Sequence, residues 1–103
     1  MSKMIDSLGV SLAQAIGKEE MICRGLLRLT IMDSVDHLRR TSDYGQTMAY
    51  IRTMSYQDWK NILEGPALSQ RLRSVGIREP SVIVDRLKQT LVEQQSLLTM
   101  AAL

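Results

Sequence analysis

The sequence encodes an all-α fold, a small multi-helix domain, on three grounds. Apolar residues recur at three- and four-residue steps along most of the chain, which is helical spacing. Aromatic residues are only 4% of the composition and Phe is absent, so the core must come from Leu, Ile, Val and Met. Strands favour aromatic and β-branched residues instead. Finally, the strongest breakers, Gly17, Gly65-Pro66, Gly76 and Pro80, fall between the periodic segments. With 103 residues, 45% of them hydrophobic, the chain suits one domain at the lower end of what builds its own core. We read residues 1–103 as a single helical unit, with 1–54 holding dimerisation helices and 55–103 a helix-turn-helix-like region and C-terminal helices.

The first helix is carried by Met4, Ile5, Leu8, Leu12 and Ile16 and stops at Gly17. Gly9 lies inside that pattern and weakens it. A longer helix is expected from Lys18 to Arg40, with Glu19 and Glu20 in its first turn and Arg39 and Arg40 in its last. Its apolar residues form two adjacent stripes. Ile22, Leu26 and Leu29 make one; Leu27, Ile31, Val35 and Leu38 make the other. So broad an apolar arc asks for cover on more than one side. The expected cover is a second copy, with Leu26, Leu27, Leu29, Ile31, Val35 and Leu38 as the dimer interface.

Thr41-Ser42-Asp43 reads as a turn and cap, followed by a helix with Gly45 just inside it and Met48, Ile51 and Met54 along it. Ser55 followed by Asp58 resembles a capping box and begins a short helix with Trp59, Ile62 and Leu63. Pro66 suits the first position of the next helix, which carries Leu68, Leu72 and Val75 and ends at Gly76. Pro80 opens the last helix, with Ile83, Leu87 and Leu91 evenly spaced. The end, Leu97 to Leu103, is apolar enough to pack down or to meet a partner.

Chemistry is sparse. Catalysis by a nucleophile needs an oriented base beside it. The one histidine, His37, has Asp33 one turn before it, and a contact on one helix face is expected at most. The one cysteine, Cys23, sits among Ile22 and Leu26 and reads as a small core residue. It excludes a disulfide framework and a cysteine-based zinc site. The pairs Asp33/Asp36 and Glu19/Glu20 lie among basic residues and read as solvated helix faces. No phosphate loop, dinucleotide fingerprint or metal-ligand cluster is present, so no enzyme activity and no cofactor are expected. No signal-like or membrane-spanning run appears, which places the expected site of action in the cytoplasm.

The formal net charge is +2, less than a non-specific nucleic-acid binder usually carries. Any DNA contact must be local or shared with a partner. The richest region runs from Lys60 through Arg71, Arg73 and Arg78 to Lys88. Two short helices joined at Glu64-Gly65-Pro66 outline a helix-turn-helix, with Arg71 and Arg73 on the second. Lys60, Arg71, Arg73 and Arg78 are the candidate DNA or partner contacts.

The stretch from Leu26 to Arg73 resembles the FlhD family, the smaller subunit of the flagellar master activator and its relatives on conjugative elements. Arg28-Leu29, Asp33 and Arg40 fit one family stretch, and Met54-Ser55, Ile62-Leu63-Glu64, Leu68 and Leu72-Arg73 fit a second in the same register. Gln70 stands where the family often has Cys, and Pro66 where it has Asn. The last thirty or so residues match only at Glu93-Gln94-Gln95 and Met100. The resemblance implies an intertwined homodimer with a larger FlhC-like subunit that carries a zinc site and much of the DNA contact. It implies activation of flagellar or conjugative-transfer promoters by the complex, with recruitment of RNA polymerase. The alternative is a small helical adaptor or anti-activator that binds a protein and never meets DNA.

Overall fold

A computed structural model describes residues 3–101, with side chains from Met4 to Met100. Met1, Ser2, Ala102 and Leu103 lie outside the described residues, so the last part of the apolar end is not among them. Seven helices and no strand occur among the described residues: α1 Lys3–Ile16, α2 Glu20–Ser34, α3 Asp36–Thr41, α4 Tyr44–Thr53, α5 Tyr56–Glu64, α6 Pro66–Ser74 and α7 Pro80–Ala101.

The stop signals work by familiar local physics. Gly17 and Gly76 both take positive φ, 71° and 92°, where a side chain would be strained. The Asp43 carboxylate accepts from the Gln46 N–H at 2.8 Å and caps α4. Ser55 and Asp58 close a reciprocal capping box on α5, with the Asp58 N–H 3.1 Å from Ser55 Oγ and the Ser55 N–H 3.0 Å from Asp58 Oδ2.

The helix expected from Lys18 to Arg40 is two helices. It breaks at Val35, whose backbone is extended (φ −108°, ψ 117°). Thr30 Oγ1 and Ser34 Oγ each donate to the carbonyl four residues back, at 2.7 Å, which bends helices. Asp33, Ser34 and Val35 are three weak helix formers in a row at that bend. The break turns Leu38 of α3 into the core, where it is fully buried.

One continuous core draws on residues from Ile5 to Leu91, and the division drawn at residue 54 falls inside it. Helix α1 packs against both α2 and α7, so the two ends of the chain share one seam. In that seam the Ser11 and Thr90 hydroxyls bond at 2.8 Å, 79 residues apart. Gly9 is the close-approach point of α1 on α2. A Cβ built there would lie 2.6 Å from Arg24 Cγ. Gly9→Val is expected to cost about 1–3 kcal/mol by overpacking, read as a lower urea midpoint at unchanged slope.

The packing corrects the expected dimer interface. Leu26, Leu27, Ile31 and Leu38 are buried by the chain's own helices, and Val35 packs against the same core. Their apolar surface needs no second copy. Leu29 differs: it faces away from the core and is 40% exposed.

Candidate interaction site

Helices α5 and α6 form the corner in which a DNA-reading unit was expected. Trp59, Ile62 and Leu63 of α5 and Leu68 and Leu72 of α6 anchor it in the core. The connection is the single residue Gly65 (φ −77°, ψ 166°), with Pro66 at the start of α6. A helix-turn-helix uses three to four residues there, so this corner is tighter. Lys88 of α7 pairs with Glu64 at 3.1 Å and braces the end of α5.

The four candidate cations do not share one face. Arg71 turns back onto α2: its Nε donates to Asp33 Oδ2 at 3.1 Å and its Nη2 donates to the same oxygen. This pair holds α6 against the end of α2, 38 residues away in sequence. Arg73 is two residues on, and residues so spaced do not face each other on a helix. It is exposed beside Gln70, Pro66 and Ser74, at helical steps along the outer face of α6. Arg78 is exposed in the loop that follows. Lys60 is half-buried on α5. The outward side of α6 thus offers Gln70 and Arg73, with Arg78 beyond its end. Gln70 was not among the sequence candidates; only the helical face it shares with Arg73 identifies it.

A groove of ≈ 590 Å³ lies between the α2–α3 bend and the α5–α6 corner, floored by Ile62 and Ala67 and rimmed by Asp33, Arg39, Asn61 and Gln70. A second groove, ≈ 450 Å³, runs between α1 and α7 and is lined mostly by Ser, Thr and Gln side chains. Neither holds His37 or Cys23.

The expected His37–Asp33 contact does not form, because the helix breaks between the two residues and Asp33 faces Arg71. The His37 ring instead meets the edge of Tyr50, with centroids 5.9 Å apart. Arg28 lies over the Tyr44 ring at 5.5 Å. Burial pushes the Tyr50 phenol up from its ordinary value, with the Asp58 charge adding to it.

Cys23 is fully buried. Burial pushes its thiol above the ordinary 9.0, against the opposing charges of Lys18 and Arg24. The unfolded thiol ionises first as pH rises, so stability is expected to fall above about pH 9. Native protein at pH 8 is expected to react with a thiol reagent about 100-fold more slowly than urea-unfolded protein, because reaction waits on opening. Equal rates, followed by absorbance, would show the site open.

What the fold defines is a small all-helical module of seven helices among the described residues. Among the described residues, no group of three or more His, Cys, Asp and Glu side chains is placed to hold a metal ion. No helix among them is long and apolar enough to cross a membrane. Comparison with known proteins finds no matching family model, no matching curated protein and no matching solved structure.

Proposed function

We propose that the chain is the assembly subunit of a two-subunit transcriptional activator. It pairs with itself and associates with a larger, zinc-binding FlhC-like subunit. The complex occupies promoters of flagellar or conjugative-transfer genes and recruits RNA polymerase. The observation that carries this reading is the large apolar surface left open on two faces. Met21, Ile22 and Leu29 of α2 form one; Leu97, Leu98 and Met100 at the end of α7 form the other. Grouped exposed side chains of this size mark association surfaces. The resemblance to the FlhD family from Leu26 to Arg73 supports this kind of assembly.

Within the complex, Gln70, Arg73 and Arg78 face DNA. Co-expression with an FlhC-like partner followed by a gel shift tests the reading. Binding is expected only when both chains are present. Arg73→Ala with Arg78→Ala is expected to lower the salt slope of complex binding by about two units, one for each lost phosphate contact. An unchanged slope removes these side chains from the DNA interface.

One observation favours the adaptor alternative. Arg71 is engaged by Asp33, which leaves α6 a single outward cation, Arg73. If the larger subunit binds DNA equally well with and without this chain, the adaptor reading replaces the activator one.

A further inference from the structure

The wider of the two grooves lies where the chain bends twice. On one side the break at Val35 turns α3 away from α2. On the other, the single residue Gly65 turns α5 into α6. Gly65 brings no side chain into the space between them. A Cβ there would lie 3.3 Å from the Asn61 carbonyl oxygen, tighter than an ordinary contact. The groove measures ≈ 590 Å³, inside the range of about 300–1,000 Å³ that small-molecule sites occupy.

The α1–α7 groove is closed on itself, because its polar groups bond one another: Ser11 with Thr90, and Arg86 with Gln14. The groove at the double bend is built differently. Its floor is Ile62 and Ala67, with Pro66 beside them. Its two rim charges are matched from within the chain. Asp33 is held by Arg71, and Arg39 Nη2 donates to Asp36 Oδ1 at 3.0 Å. An ion entering the groove would have to displace one of these partners, with a charge of its own sign on the same rim. The rim therefore selects an uncharged guest. Its neutral polar groups select what that guest presents. Gln57 Nε2 donates to Asn61 Oδ1 at 2.9 Å, one turn away on α5. The Asn61 amide oxygen is thereby engaged, and its NH2 group is the one left for the groove. Gln70 sets a second side-chain amide on the same rim.

We propose that this groove binds a small uncharged organic molecule, an apolar body carrying a carbonyl oxygen. The body lies on Ile62, Ala67 and Pro66, and the carbonyl accepts from the Asn61 NH2 group. Apolar walls with a few placed polar groups are what such sites use for affinity and orientation. The inference goes beyond the assembly reading and does not rest on it, since neither a partner chain nor DNA enters the site or its test.

The probe is Nile red, an uncharged planar dye with a ring carbonyl, titrated against the purified chain by fluorescence. Saturable binding of one dye per chain is expected. Ala67→Trp fills the groove and is expected to weaken binding by about tenfold or more in Kd. Asn61→Asp keeps the shape and the bond from Gln57 but replaces the NH2 donor with an acceptor. It is expected to weaken binding by about three- to tenfold, the loss of one neutral hydrogen bond. Ile22→Ser with Leu98→Ser removes apolar side chains exposed elsewhere and is expected to change nothing. Circular dichroism shows whether each variant is folded. Asn61 is exposed, so Asn61→Asp gives the answer even where Ala67→Trp does not fold. Absence of saturable binding overturns the site, as does binding that survives in Ala67→Trp or is lost in the Ile22 and Leu98 variant. Full-strength binding in Asn61→Asp overturns the carbonyl contact. Tighter binding of the anionic dye anilinonaphthalene sulfonate, lost in Ala67→Trp, overturns the choice of an uncharged guest.

Discussion

Leu27→Asp is expected to unfold the chain, whereas Leu29→Asp, two residues along the same helix, is expected to leave it folded. Leu27 is fully buried and Leu29 is 40% exposed. Losing a buried leucine costs about 2–5 kcal/mol. An unpaired carboxylate in its place adds several more. Together these approach the whole stability of a small domain, about 5–15 kcal/mol. The Leu29 change sits on the surface of the single chain and is expected to alter its stability by less than about 1 kcal/mol. Circular dichroism with urea titration distinguishes the two. If both variants unfold, the outward placement of Leu29 is wrong. If both stay folded, the core is misassigned at Leu27. The result also separates folding from association: a folded Leu29→Asp that no longer pairs locates the contact on the outer face of α2.

The second large effect is expected at Trp59. It is the bulkiest fully buried side chain and sits where α5 meets the common core. Trp59→Ala is expected to cost about 3–5 kcal/mol, the range for emptying so large a core site. The measurement is the urea midpoint with the slope held constant. A cost below about 1 kcal/mol would mean that the site is open to solvent and that the α5–α6 corner is loosely attached. A full loss would make the corner, and the outward face of α6 with it, depend on one side chain for its position.

Much of the local architecture was legible in the chain. The Ser55–Asp58 box, Pro66 at the start of α6, Gly17 and Gly76 at helix ends and the Leu87–Leu91 spacing all act within a few residues. Their physics is backbone capping, φ preference and helical period, which short windows contain. The break at Val35 was less legible. The dipole-friendly charges at both ends of the Lys18–Arg40 segment described one helix as well as two. The back-bonding of Thr30 and Ser34, with Leu38 turned into the core, decided for two.

By itself the sequence determined that the chain is helical, where most helices begin and end, and that α2 is apolar over a broad arc. Only the tertiary structure decided which part of that arc faces inward. A helical wheel fixes angles between residues of one helix but not the direction in which the core lies. That direction is set by α1, α6 and the other helices packed around α2. The same applies to Arg71, which joins Asp33 across 38 residues, and to the glycines. Gly9 and Gly25 look alike in sequence, as weak points in a helix. They differ because the Arg24 side chain of α2 closes over Gly9, whereas only Arg28 Nη2, at 3.9 Å, comes near Gly25.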